Sequence, residues 1–297
     1  MAAPNDATSG PQPTVVETSV NLRRLKRVGA RPSFLDYIVS IWDYRHFIYY
    51  DAKAKVSTNN EKDKLGSAWL IISPVLNGLM FFFVMGILLK SGRGIENFVS
   101  YLIIGVFFFQ FSIRSINASS RAIFSNKNVI HAFKFPRATL VIAANLRELF
   151  LNVPVILTLL VLIILLPPDE RVTLKWLLIV PIISLQFIFN LGFGLIVARM
   201  SSRFNDVNQI LTYGMRAWMY LSCMFFSIDR FSDMPIVMKV MEHNPLYQVL
   251  FMARGALIYD TIPSWNSWTV LALWSFAMLA FGTVYFWKAE ESYGREY

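Results

Sequence analysis

Three stretches of this chain, 68–89, 176–198 and 265–287, carry no charged side chain over 22, 23 and 23 residues. A run of that length matches the roughly 20 residues a helix needs to cross a bilayer about 30 Å thick. Lipid offers the backbone no hydrogen bonds, so each run must close its own as a helix. Three further blocks are nearly as apolar. Residues 98–113 run on past Arg114 toward Arg121, 149–166 follows Arg147 and Glu148, and 207–228 is interrupted only by Arg216. The sequence therefore predicts an all-α integral membrane protein with six transmembrane helices.

Only 16% of the residues are charged and 55% are hydrophobic, against about 25% charged in an average soluble domain. This excludes a disordered chain, a disulfide scaffold and most soluble enzymes. The net charge of +9 sits between the apolar blocks, where loops meet an anionic membrane face, rather than on a nucleic-acid surface. The one cysteine, Cys223, cannot close an intrachain disulfide and reads as a small buried hydrophobe. The three histidines lie far apart, so no metal site is expected.

Basic residues fix the orientation. Segments 1–67, 114–147, 199–216 and 288–297 hold 21 Lys and Arg, and the opposite segments hold 7; without the long first segment the ratio is still 11 to 7. Both termini are expected in the cytoplasm. Residues 1–33, polar with a basic cluster, read as a disordered cytoplasmic tail, and 291–297 as a short C-terminal one. Between them lie a helix and connector, 34–64, and a six-span domain, 65–290.

In the 34–64 region Phe34, Ile38, Ile41, Arg45 and Ile48 recur at helical steps, flanked by Trp42, Tyr49 and Tyr50. This predicts an amphipathic helix over 34–54 lying at the membrane interface, either as a moving gate or as a plain anchor. Segment 229–264 is too long for a hairpin and too charged to span. It is expected to form re-entrant helices between spans five and six.

No phosphate-binding G-x-x-x-x-G-K-[ST] loop, no local catalytic triad signature and no paired acids at span centres occur. The chain reads as a non-enzyme without catalytic residues. Any energy for movement would come from another subunit. Segment 114–137 holds five basic residues and no acid, interleaved with Phe124, Ile130 and Phe133. It is either a helix that docks into a partner or an ordinary positive-inside loop.

Four stretches resemble permeases of the ABC-2 exporter family, in the branch that exports polysaccharides, O-antigens and teichoic acids. Gly66-Ser67-Ala68-Trp69 after Leu65, with Pro74, is similar to the family's L-G-x-x-W and proline following a basic helix. Asn128-Val129-Ile130 before Phe135-Pro136-Arg137 resembles its first coupling loop. Arg203 to Val207 resembles R-x-x-D-V after span four, with Asn205 where the family has Arg. Asn244-Pro245 with Arg254 resembles the N-P and downstream Arg between spans five and six. The likeness covers about 34–290, and the Pro- and Thr-containing tail resembles an actinobacterial galactan exporter.

The resemblance implies a permease subunit of an ATP-driven exporter of lipid-linked polysaccharide in the bacterial plasma membrane. Two copies would work with two ATPase subunits, which bind ATP and magnesium. This chain would hold no cofactor. The ATPase contact would be made by Phe124, Asn128, Ile130, Phe133, Lys134, Pro136 and Arg137, with Arg203 and Asp206 forming a second, smaller one. Trp42, Arg45 and Tyr49 on the gate helix, with Arg216, would meet the lipid diphosphate; Arg216 could equally snorkel to the interface. Aromatic rings stack on sugars without one register, so Phe82, Phe108, Gln110, Trp218 and Tyr220 are the candidate channel lining. Two alternatives stay open: an exporter of drugs or small lipids, and a membrane-embedded glycosyltransferase acting on lipid carriers. The latter would need an acidic D-x-D cluster, which the chain lacks.

Overall fold

The structure is a computed structural model that describes residues 32–294 except 59–65, 91, 93, 96, 167–171 and 205. Most of the expected N-terminal tail, the connector before Gly66, Leu65 and Asn205 of the motifs, and the last three residues lie outside the described residues. Among the described residues every element is helical.

Five helices among the described residues are long and apolar enough to cross a membrane. The first is α3 (Trp69–Phe81), continued as a π-helix over Phe82–Leu88. The others are α4 (Phe98–Ser125), α6 (Ala138–Leu165), α7 (Ile179–Arg203, preceded by a 3-10 turn from Leu174) and α11 (Trp265–Trp287). Helix α4 is the centre, with 72% of its apolar window buried, whereas α3 is peripheral with 11%. Apolar burial gains nothing against lipid, so polar contacts and close packing hold such helices together. Gln186 on α7 donates to the Phe108 carbonyl (2.8 Å) and to Ser112 on α4 (2.9 Å). Asn145 on α6 donates to Ser119 on α4 (2.6 Å), and Ser275 on α11 to the Leu185 carbonyl on α7 (2.8 Å). At the α7–α11 crossing, Gly192 and Gly282 face one another with nothing between the two backbones.

Three sequence expectations change. The spans expected at 98–113 and 149–166 are each part of a 28-residue helix, so Arg114, Arg121 and Arg147 stand on helices and only 126–137 connects them. The span expected at 207–228 is α8 (Val207–Leu221), 15 residues long. At about 1.5 Å per residue that is about 22 Å, short of a hydrocarbon core of about 30 Å. It ends in a turn where Cys223 takes a positive φ of 51°.

The single amphipathic helix expected over 34–54 is two helices, α1 (Phe34–Asp43) and α2 (Arg45–Thr58). The break follows from Tyr44, whose hydroxyl donates to the Lys134 carbonyl (3.2 Å) while its ring packs near Phe135. Helix α1 starts on Ser33, whose hydroxyl accepts from the Asp36 N–H. Both helices are docked on the bundle rather than lying free. Tyr37, Ile48 and Ala52 are buried, while Ile38, expected on the inner stripe, is exposed. Segment 229–264 forms two short helices, α9 (Pro235–Glu242) and α10 (Pro245–Leu257). All of α10 but Phe251 is buried.

Candidate functional site

The segment between α4 and α6 is held from below and open above. Helix α5 (Lys127–Ala132) follows Asn126, whose side chain donates to the Ala122 carbonyl at the end of α4 (2.7 Å). Ile130 is buried in an apolar cluster with Ile123, Leu140, Ala198 and Phe286. Pro136 is buried as well, and its carbonyl accepts from the Thr139 hydroxyl (2.7 Å). By contrast Phe124 and Phe133 are 56% and 69% exposed, and Asn128 and Lys134 are exposed beside them. Phe133 and Lys134 rim an apolar groove of about 330 Å³, whose other walls are Tyr44, Phe47, Val129 and Phe135. The short helix is thus anchored through Ile130, with the exposed rings of Phe124 before it and Phe133 after it.

Arg137 is turned the other way. Its main-chain N–H donates to a carboxylate oxygen of Glu290 (3.0 Å), and its guanidinium donates to the Glu290 carbonyl (2.8 Å) and side chain (3.4 Å). Tyr37 on α1 donates to the second carboxylate oxygen (2.8 Å), and its own oxygen accepts from the Ala138 N–H (3.4 Å). One buried carboxyl thus joins α1, the end of the segment between α5 and α6, and the chain after α11. Burial raises the Glu290 carboxyl above its ordinary range, although the hydrogen bonds from Arg137 and Tyr37 pull it down. Burial and the neighbouring Glu290 push the Tyr37 hydroxyl far up, so it remains a proton donor.

The other expected contacts are dispersed. Arg203 and Asp206 are both exposed where α7 gives way to α8, and the Asp206 main-chain carbonyl accepts from the Gln209 and Ile210 N–H groups without a side-chain cap. Trp42 is 69% exposed; Arg45 lies over its ring at 5.5 Å and donates to its carbonyl. Tyr49 sits edge-on to Phe150 of α6. Arg216 is exposed on α8, against Tyr213. Of the expected channel lining, Tyr220 is exposed, and Phe82, Gln110 and Trp218 are half-buried. Phe108 is 1% exposed and enclosed by its own chain, so the surface of one chain leaves it out. Trp218 is fixed by its indole N–H to Asn244 (2.8 Å) and by Phe189 and Phe193.

The Asn244-Pro245 and Arg254 signature proves to be a clamp. The Asn244 side chain caps α10 at the Leu246 N–H and donates to the Leu221 carbonyl and Ser222 hydroxyl at the end of α8. Arg254 is buried and donates to the carbonyls of Tyr101, Cys223 and Met224 at 3.2, 3.1 and 3.0 Å, over the Tyr101 ring. Gly105 makes room for it, since a Cβ there would stand 2.8 Å from the guanidinium. The Tyr101 hydroxyl also donates to the Cys223 and Phe226 carbonyls. The carbonyls of the turn that follows α8 are thereby satisfied by protein donors.

Two groupings escaped the sequence reading. The first is the Tyr37–Arg137–Glu290 junction, in which Glu290 lies 253 and 153 positions from its two partners. The second is a cleft of about 510 Å³ lined by Lys55, Leu70, Arg114, Arg121, Arg147 and Glu148 with neighbouring small residues. Its signal was present: Arg114 and Arg121 are seven apart, on one face of a single helix.

No family model matches the chain. Among curated proteins it is similar to an O-antigen export system permease protein RfbA of Klebsiella pneumoniae, 25% identical over 207 residues, which is 66% of this chain and 76% of that one. A protein of the same description from Myxococcus xanthus is 18% identical over 79% of this chain and 91% of its own length. The polysialic acid transport protein KpsM of Escherichia coli is 25% identical over 80% and 91%. The curated homologues of this multi-pass helical chain are therefore permeases of polysaccharide export, the kind of protein its motifs resemble.

Proposed function

We propose that this chain is the membrane subunit of an ATP-driven exporter of lipid-linked polysaccharide, acting as two copies with two ATPase subunits. The observation that carries the reading is the contrast at α5: Phe124, Phe133 and Lys134 exposed on a mount locked by Ile130, Pro136 and Arg137. ATP and magnesium belong to the partner. Arg203 and Asp206 offer it a second contact. Movement of the ATPases presses on α5, and the Arg137–Glu290–Tyr37 junction passes it to α1. Helix α2, joined to the same segment through Tyr44 and Lys134, moves with it. The names of the curated relatives and the exposed aromatic side chains on α3 support a polysaccharide cargo and a pore shared between two copies.

Six passes, with both termini cytoplasmic in the inner membrane, fit this reading. Helix α8 starts beside Arg203, and the turn after it reaches the Tyr101 hydroxyl near the opposite end of α4. Fifteen helical residues and a protein-enclosed turn thus cover the depth of the bundle. Irregular backbone at that depth is tolerated where protein encloses it, and α9 and α10 then turn back on the outer side.

Affinity purification in mild detergent tests the reading. The expected result is a particle of two permeases and two phosphate-loop ATPases. In proteoliposomes, Phe133→Ala with Lys134→Ala should lower ATP-driven export at least tenfold while the chain still folds and basal ATP hydrolysis persists. Full export by this variant would overturn the docking assignment.

A further inference from the structure

We infer that the cleft at the end of α4 remote from the coupling segment is a subsite for an uncharged sugar ring of the exported glycan. The inference rests on the reading of this chain as a polysaccharide exporter for the side of the membrane it serves, but not for the chemistry of the cleft. The cleft, of about 500 Å³, lies between the start of α4, the turn after α8, helix α10 and the loop that follows it. Tyr101, in its wall, stands 24 positions before the end of α4 at Ser125. At 1.5 Å per residue that is roughly 36 Å, more than a hydrocarbon core of about 30 Å. With α5 on the cytoplasmic side, the cleft lies on the outer one. It continues through Gly94, Ser227 and Asp229 into a second cleft of about 570 Å³, so neighbouring sugars of a chain have room beside the first.

The lining combines apolar ring faces with unspent hydroxyls. Phe251 is 48% exposed on a helix whose other residues are all buried, and Tyr259 is 40% exposed. Tyr247, one turn before Phe251, stacks on its ring at 5.8 Å and is 6% exposed. The Tyr247 hydroxyl has no hydrogen-bond partner among the described residues. A buried phenol usually finds one, so a ligand carrying its own hydroxyls completes this group. The Thr261 hydroxyl is unpaired in the same sense. Asp229 accepts from the Ser227 hydroxyl on one oxygen (2.6 Å), and its other oxygen accepts from none of the described residues. Among the described residues, Arg254 and Asp229 are the charges of this lining. They balance, and the guanidinium is spent on three carbonyls, so no anionic group is called for. A sugar ring supplies the complement, with a flat C–H face for the aromatic rings and a rim of hydroxyls that both donate and accept. Apolar walls with a few fixed polar groups are the usual make-up of a small-molecule site.

The test is saturation-transfer NMR on the full-length protein in phosphatidylcholine nanodiscs. The probes are the neutral tetrasaccharides cellotetraose, galactotetraose and mannotetraose. Sorbitol, which has hydroxyls but no flat face, is the comparison. At least one tetrasaccharide should bind, with the strongest transfer on its ring C–H protons, and sorbitol should not. Phe251→Ala should weaken binding about tenfold, the scale of one aromatic contact. Tyr247→Phe should weaken it about fivefold, the scale of one neutral hydrogen bond. Ile236→Ala, at an exposed position on α9 outside the cleft, should change nothing. Phe251→Ala removes a half-exposed ring and Tyr247→Phe a lone hydroxyl, so both variants should fold. Unchanged affinity in Phe251→Ala overturns the site, since that ring would then face only lipid or a second copy. Equal binding of sorbitol overturns the sugar-ring assignment. Export by a wild-type complex that binds none of the tetrasaccharides would sink this inference and leave the proposed function standing. Phe251-dependent binding by a chain that recruits no ATPase would do the reverse.

Discussion

Removing the Glu290 carboxyl should loosen the contact between the interface helix and the coupling segment. Its oxygens accept from the Tyr37 hydroxyl, the Arg137 N–H and the Arg137 guanidinium at 2.8, 3.0 and 3.4 Å, and the residue is 5% exposed. Three bonds to a charged acceptor at about 1.5 kcal/mol each would amount to about 4.5 kcal/mol. The Arg137 side chain keeps a quarter of its surface in solvent and rehydrates in part, which reduces the loss from Glu290→Ala to about 2–3 kcal/mol. Glu290→Gln keeps the shape and an acceptor for the Arg137 N–H, so it should cost less than about 1 kcal/mol.

The pH dependence follows from the raised carboxyl. When the folded-state value lies above the unfolded one, the folded chain holds its proton longer, and the stabilisation is fully present below the ordinary carboxyl range. It is lost as pH rises from about 4.5 through the raised folded value. Wild-type stability should therefore decline across that window, and the decline should be absent in Glu290→Gln. SDS-induced unfolding of the purified chain, followed by tryptophan fluorescence from pH 4 to 8, measures both quantities. A Glu290→Ala loss below about 0.5 kcal/mol, or identical pH slopes for wild type and Glu290→Gln, would refute the reasoning.

Gly282→Ala should be among the most damaging single-methyl additions, because the new Cβ would land on the Gly192 carbonyl, with that residue's carbonyl carbon 3.0 Å away. Neither backbone can step aside, so about 2–3 kcal/mol of overpacking is expected, read as lower melting by size-exclusion detection; unchanged melting would contradict the crossing. Gly214→Ala, where a Cβ meets nothing, is the control. Arg254→Met takes one donor from each of three carbonyls, of which only Cys223 keeps the Tyr101 hydroxyl, and should cost about 3 kcal/mol. Arg254→Lys should restore less than half of that, since an ammonium lacks the fork; full rescue would show that charge alone suffices. Tyr37→Phe removes the donor to Glu290 without a change of shape and should cost about 1 kcal/mol in the same unfolding assay, with a steeper loss at high pH.

Uncharged runs of bilayer length pick out 68–89, 176–198 and 265–287, and the structure has helices there long and apolar enough to cross a membrane. The same local chemistry marked helical structure within 34–54 and the Asn244-Pro245 start of α10. Chain order could not show which charges meet. The run from 98 reads as continuing past Arg114 toward Arg121, and the helix does carry on, to Ser125. Their surroundings came from α2 and α6, which only folding brings alongside. Glu290 was one acid in a short tail until Tyr37 and Arg137 closed around it. The length of α8 was likewise decided in three dimensions. Its pattern would suit a full span, but Arg254 and Tyr101 hold the carbonyls of 223, 224 and 226 in a turn instead. Composition sets which segments leave water, and the pairing of the few polar groups they take with them is decided where the helices cross.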